Sequence, residues 1–195
     1  MEINGYKMED IRNIAVMGHG KCGKTTLTEA MLFNSGAVDR MGTVADGTTV
    51  CDYDLEEIKR QLSISAAIAP MDWKGTKLNI IDTPGYFDFV GEVKEGLRAA
   101  DSALIALSGR SGVSVGTEQV FKFARTKGVP IMFFVNKIDD MRADFKRTLE
   151  EMKEKFGKSI TPFVYPIREG EEFKGFVDIV DMTARRYEGT ERVDL

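Results

Sequence analysis

Three short motifs hold most of the residues able to do chemistry. The first, Gly18-His19-Gly20-Lys21-Cys22-Gly23-Lys24-Thr25, fits G-x-x-x-x-G-K-[ST] and runs on into Thr26. Its glycines let the backbone curl so that consecutive N–H groups point at phosphate oxygens, and a helix starting there adds its positive end. In such a loop Lys24 reaches the β- and γ-phosphates of a nucleotide, and the Thr25 hydroxyl is a ligand for Mg²⁺. The second motif is Asp82-Thr83-Pro84-Gly85. A carboxylate in that place holds Mg²⁺, usually through water, and Gly85 can bring its N–H against the γ-phosphate because no Cβ intervenes. The third is Asn136-Lys137-Ile138-Asp139. An Asp carboxylate can accept both the N1–H and the N2 amine of guanine, a donor pair that adenine lacks. Asn136 then braces the neighbouring loop and the Lys137 stem lies along the ring. An ATP-using enzyme is disfavoured by this motif.

The elements around the motifs must hold them at strand ends. Short apolar runs alternate with helix-like segments, which is the pattern of an α/β sheet. Asn13–Met17 reads as a buried strand before the first motif, and Thr25–Asn34 as the helix after it, stopped by Ser35-Gly36. Residues 37–60 are polar, rich in Gly, Thr and Asp, and without firm periodicity, so they read as a long, mobile loop. Ile64–Met71 and Lys77–Ile81 form a hairpin around Trp73-Lys74-Gly75-Thr76, which puts one antiparallel pair in an otherwise parallel sheet. A helix over Phe87–Ala99, a strand over Ala103–Leu107, a helix over Gly116–Lys127 and a strand over Ile131–Val135 follow. An amphipathic helix over Asp144–Phe156 and two weaker strands, near Thr161–Tyr165 and Gly175–Val180, complete the pattern. The fold class is therefore α/β: a three-layer P-loop NTPase sandwich with a mostly parallel sheet and one antiparallel strand.

Composition sets bounds on this reading. A chain of 195 residues with 43% apolar and 30% charged residues can build its own core. No stretch approaches the roughly 18 apolar residues of a membrane span, and the start has no signal-peptide pattern. The two cysteines, Cys22 and Cys51, have no ligand-like spacing, which suits a cytosolic chain without disulfide framework or zinc. A net charge of −4 argues against a free-standing or sequence-specific nucleic-acid binder. The ten methionines are scattered as gap-fillers, and the charged helix after Asp144 reads as a solvated face.

With the three motifs in this order, each after a strand, the chain resembles the translational GTPases, most of all the elongation factor G-like members. The resemblance runs from about Arg12 to about Ala184 and is carried by residues 12–28, 46–64, 82–89 and 175–180. It implies GTP or GDP with Mg²⁺ as bound groups, hydrolysis of GTP to GDP and phosphate, and the ribosome as partner. In that family a segment ending R-G-I-T-I is the first switch. Arg60-Gln61-Leu62-Ser63-Ile64 matches it, so Ser63 stands where a threonine meets Mg²⁺ and the γ-phosphate. The implied metal set is Thr25, Ser63 and Asp82.

Three departures from the family pattern are visible. Tyr86 follows Asp82–Gly85 where the family has the histidine that orients the attacking water, so Tyr86 joins Lys24 as a candidate catalytic residue. The only histidine, His19, lies inside the P-loop, where a structural role is expected. Lys21 stands where an aspartate associated with a monovalent cation is usual, and reads either as a solvated lysine or as a replacement for that cation. The family's last guanine-contacting loop is absent. The resemblance then implies a GTP-binding domain over 1–158 lacking its last strand and helix, and the start of an inserted subdomain over 159–195, in an N-terminal piece of a longer protein. Such a piece is expected to bind nucleotide weakly, to hydrolyse slowly and, with an open sheet edge, to be able to self-associate. Two alternatives stay open: a nucleotide-gated ribosome-binding switch with little hydrolysis, and a ribosomal-protection or release-factor relative.

Overall fold

The computed structural model describes residues 2–3, 5–170, 172–188 and 191–194. The chain divides into two compact units, Met1–Leu107 with Ser114–Phe134, and Ser108–Val113 with Val135–Leu195. Among the described residues no helix is long and apolar enough to cross a membrane.

The first unit opens with a small antiparallel pair, β1 (Glu2–Ile3) and β2 (Tyr6–Lys7), followed by β3 (Ile11–Met17) and α1 (Lys24–Ser35). Next come α2 (Leu55–Arg60), β4 (Ala67–Trp73), β5 (Thr76–Asp82), α3 (Val90–Ala99), β6 (Ser102–Ser108), α4 (Val115–Lys127) and β7 (Ile131–Asn136). The last residue of β6 and the last two of β7 fall in the second unit. The sheet order is β4-β5-β3-β6-β7, with β3 parallel to both β5 and β6 and β4 antiparallel to β5. Pro70 sits in β4, the edge strand, where a missing N–H costs the ladder little. The β4–β5 turn is Lys74-Gly75, both at positive φ, as a two-residue hairpin with matched twist requires.

Strand periodicity sorts the core into two layers. Ala15, Met17, Ile81, Ala103 and Ile105 pack with Val93 and Leu97 of α3 and Val120 and Ala124 of α4. Their neighbours Val16, Ile80 and Leu104 point the other way, toward Leu32 of α1, Ala69, Met71 and Cys51. This is the expected α/β three-layer arrangement, with α1 on one face and α3 and α4 on the other. The predicted helix over 87–99 is split: Phe87–Phe89 makes a 3₁₀ turn, and α3 proper starts at Val90.

The second unit carries α5 (Phe145–Phe156), β8 (Val164–Glu169), β9 (Glu172–Asp178), β10 (Thr183–Glu188) and β11 (Glu191–Asp194). Asp144 caps α5, its carboxylate accepting from the Arg147 N–H at 2.9 Å. Thr148, Met152 and Phe156, four residues apart, form its buried stripe. The four strands make an antiparallel sheet in the order β11-β10-β9-β8. Two strands were expected in this region. Both exist, β8 lying three residues later and β9 starting three residues earlier than the apolar runs suggest, and two more follow. Antiparallel ladders are satisfied by backbone hydrogen bonds whatever the side chains, so polar strands such as Thr183–Glu188 leave little trace in a hydrophobicity pattern.

The largest correction concerns residues 37–60, expected to be a mobile loop. They contain α2, which has a capping box. The Asp54 side chain accepts from the backbone ahead of it, and Glu57 Oε2 accepts from the Asp54 N–H at 3.2 Å. The rest of the segment is tethered by carboxylates. Glu29 of α1 is wholly buried, and it accepts from the N–H groups of Gly42 at 3.1 Å and Val50 at 2.5 Å. Buried Glu57 also accepts from Ile64 at 2.9 Å and Ser65 at 3.1 Å, and Glu92 of α3 from Ala66 at 2.8 Å. Charge-assisted bonds to backbone N–H groups replace the missing ladder. Replacing Glu29 by Ala orphans two amides, at a cost on the order of 2–4 kcal/mol for the segment. Hydrogen exchange at Gly42 and Val50 is then expected to accelerate at least tenfold while β3 and β6 stay protected; unchanged exchange would show that this carboxylate is not the tether.

Candidate functional site

β3 ends at Met17, wholly buried in the sheet, and the chain turns through residues 18–23 into α1. Gly23 is the N-cap of α1, at φ 94°, so the first free amides of the helix open toward the loop. Lys21 takes a left-handed conformation at φ 61° and is exposed. Such strain in a non-glycine residue is held by its surroundings and is common in ligand-binding loops. Lys24 is buried, and its ammonium donates to the His19 carbonyl at 3.2 Å. Thr26 lies on the exposed side of the first helical turn. Cys22 is buried, and loss of solvent pushes its thiol up despite the opposing charge of Lys24, so it is a packed thiol and not a reactive one.

The second motif closes on this loop from the end of β5. Thr83 is fully buried, and its hydroxyl donates to the Val16 carbonyl at 2.8 Å, pinning the motif to β3. Gly85 comes so close to the P-loop that a Cβ there would lie 2.4 Å from Lys24 Nζ and 2.6 Å from the Gly20 nitrogen. Only glycine can stand there. Tyr86 lays its ring on the same loop: a Cβ on Gly20 would meet Tyr86 Cζ at 2.9 Å. His19 packs its ring against Gly116 of α4, with the ring of Phe87 6.2 Å away between centroids.

Oxygen atoms gather at the start of α1. The hydroxyls of Thr25 and Ser63 lie 3.2 Å apart, although 38 residues separate them. Asp82 is buried beside Thr25, and neither of its carboxylate oxygens has a partner in good hydrogen-bond geometry. Desolvation pushes its carboxyl up to about 7, with Thr25 and Lys24 only partly offsetting. Asp52 belongs to the same group and was missed by sequence reasoning. It is buried and raised by desolvation, offset in part by the Ser63 hydroxyl, and its Oδ1 is unsatisfied. Its only sequence signal was a place inside a family-like stretch. No three His, Cys, Asp or Glu side chains gather as a metal site among the described residues. A hard cation with few protein ligands and several waters or phosphate oxygens is a different case, and two hydroxyls with orphaned carboxylate oxygens suit Mg²⁺.

The third motif lies in the second unit. Asn136 Oδ1 accepts from the Lys137 N–H at 2.8 Å, and Lys137 adopts φ 57°. The Ile138 side chain fills the space beside Gly109, where a Cβ would meet its Cδ1 at 2.7 Å. Asp140 is pinned: its Oδ1 accepts from the Arg142 N–H at 2.9 Å, and Arg110 lies 3.6 Å from Oδ2. The Arg142 amide, with the two guanidinium charges, holds its carboxyl below the usual range. Asp139, between these anchored neighbours, is exposed and free to accept donors from a ligand.

Residues 9–193 match the family model described as the elongation factor Tu GTP binding domain. A crystal structure of a protein from Thermus thermophilus superposes with a TM-score of 0.90 at 40% sequence identity, covering 95% of this chain and 28% of that one. The chain thus spans less than a third of the length of this relative. A family match over nearly the whole chain joins a P-loop, a D-x-P-G turn and an N-K-x-D turn, each at a strand end, and the chain belongs to the elongation factor Tu GTP-binding domain family of translational GTPases.

Proposed function

We propose that this chain binds GTP with Mg²⁺ and hydrolyses it, as the nucleotide domain of an elongation factor G-like translation factor acting on the ribosome. The observation that carries this reading is the approach of Ser63 to Thr25 beside Asp82, at the helix terminus where a P-loop takes phosphate. Residues 18–26 cradle the phosphates, with Lys24 on the β- and γ-phosphates. Thr25, Ser63 and, through water, Asp82 hold the metal, with Asp52 behind Ser63. Mg²⁺ held by these residues would offset the negative charge of the nucleotide's phosphates. Thr83 and Pro84 carry the Gly85 N–H to the γ-phosphate, and Asn136, Lys137 and Asp139 read guanine. Water then attacks the γ-phosphate in line, and the protein contributes positioning and electrostatics. The separate antiparallel sheet β8–β11 supports reading residues 159–195 as the start of an inserted subdomain.

Asp139→Asn tests base recognition. The amide can donate to xanthine, while guanine's donors lose their acceptor. Paired titrations are expected to show weakened GDP and strengthened XDP binding; retained guanine preference would refute the assignment.

Asp82 gives a pH test. Its folded pKa of about 7 lies above the unfolded value of about 3.9. The metal-free folded state therefore holds the proton more tightly between these limits. This contribution to stability is present below about pH 4 and is lost as pH rises to 7. Below about pH 7 a metal must displace that proton, so Mg²⁺ affinity is expected to fall, by up to about tenfold per unit. Asp82→Asn binds Mg²⁺ more weakly and loses this part of the pH slope. The same slope in the variant would place the titration elsewhere.

Tyr86 separates fast hydrolysis from the alternative of a nucleotide-gated switch with little turnover, which its replacement of histidine favours. A phenol hydroxyl offers a hydrogen bond where an imidazolium also adds positive charge. Loss of such a group costs on the order of 10²–10⁴ in rate. Single-turnover hydrolysis on ribosomes is expected to be slow, faster in Tyr86→His and little changed in Tyr86→Phe. A large fall in Tyr86→Phe would make the phenol itself a participant.

A further inference from the structure

The turn that presents Asp139 is braced from a strand with no motif of its own. Resting on the reading that Asp139 accepts the guanine donors, we propose that Arg168 of β8 is a positioning residue for base recognition, its guanidinium gathering backbone carbonyls on both sides of Asp139. Arg168 Nη1 donates to the carbonyls of Ile138 at 2.7 Å, Ala143 at 3.2 Å and Asp140 at 3.3 Å, and Nη2 donates to Asp140 at 3.4 Å. All these residues belong to the second unit.

The turn also carries backbone hydrogen bonds of its own. Within it, the Asp140 N–H donates to the Lys137 carbonyl at a long 3.3 Å, and the Ala143 N–H to the Asp140 carbonyl at 2.8 Å. Lys137 meanwhile sits at positive φ, a conformation that a lysine keeps only under restraint. Three carbonyl oxygens converging on one half-buried spot repel each other unless a donor fills it. A guanidinium suits this, because its planar fork offers several N–H groups in fixed directions and never loses its charge. The result is a division of labour along three successive residues. Arg168 holds the Ile138 and Asp140 carbonyls, Arg110 and Arg142 hold the Asp140 side chain, and Asp139 between them is left exposed with its backbone fixed on both sides. Specificity from a carboxylate accepting two parallel N–H groups depends on such angular control, since weak alignment forfeits most of each bond.

The test compares GDP with IDP, which keeps the N1–H of guanine but lacks its N2 amine. Affinities of both are measured by calorimetry for the wild type, Arg168→Gln, Arg168→Lys and, as a neighbour on the same strand, Glu169→Gln. The wild type is expected to prefer GDP. Arg168→Gln is expected to lose about tenfold in GDP affinity and much less for IDP, so that the preference shrinks. Arg168→Lys, which restores charge without the fork, falls between, and Glu169→Gln matches the wild type. Equal loss of both nucleotides in Arg168→Gln, or an unchanged GDP preference in both Arg168 variants, overturns the proposal by reducing Arg168 to a general stabilising contact or to none. Should Arg168→Gln fail to fold, Arg168→Lys carries the same comparison. A wild type without preference for GDP over IDP overturns the reading of Asp139 itself, a failure distinguishable from that of Arg168.

Discussion

Asp82 closes a central strand with its carboxylate inside the protein and both oxygens unsatisfied. Burying a charge that way is costly unless a partner arrives, and the groups around it only half answer the need. Lys24 supplies positive charge but is turned toward the His19 carbonyl, and Asp52 adds a second raised carboxylate. The surplus of acceptors raises the Asp82 carboxyl to about 7, so a proton answers it in the absence of a cation, and anything bound there stabilises the fold by mass action. Ligand binding and domain stability are therefore one electrostatic problem. Its centre is the junction of β5 with the loop before α1.

The position of Ser63 beside Thr25 depends on a different kind of bond. No strand carries Ser63; its segment is fastened by Glu29, Glu57 and Glu92, each accepting from backbone N–H groups. A segment held by a few carboxylates differs from one held by a ladder and a core. Apolar packing adds to these bonds unevenly: Cys51 is buried in the core with Ala69 and Met71, while Val50, Tyr53 and Leu55 are exposed. The strands β3 and β6 are held instead by their ladders and by the fully buried Val16, Met17 and Ile105. The loop before α1 and the segment that brings Ser63 to Thr25 are thus held by different kinds of contact.

The Asn136–Asp139 turn shows the same economy within the second unit. Side chains on either side of Asp139 are committed to packing or to ion pairs, and the arginine on β8 ties down the carbonyls. The exposed Asp139 carboxylate is thus positioned through its neighbours.

Sequence alone determined the parts of the protein whose chemistry is local. Gly18–Thr25, Asp82–Gly85 and Asn136–Asp139 are legible because each needs particular residue types at adjacent positions. The central strands are legible because full burial leaves continuous apolar runs. The helix at Leu55–Arg60 was legible too, in the Asp54-x-x-Glu57 pattern, but the surrounding Gly, Thr and Asp outweighed it. What only the tertiary structure decided are contacts between residues distant in the chain: Ser63 on Thr25, Asp52 joining that group, Glu29 reaching Gly42 and Val50, and Arg168 reaching back to Ile138. Each involves a polar side chain bonding to a hydroxyl or a backbone group. Such bonds impose no residue type on the partner and no period on the sequence, so nothing announces them until the chain is folded.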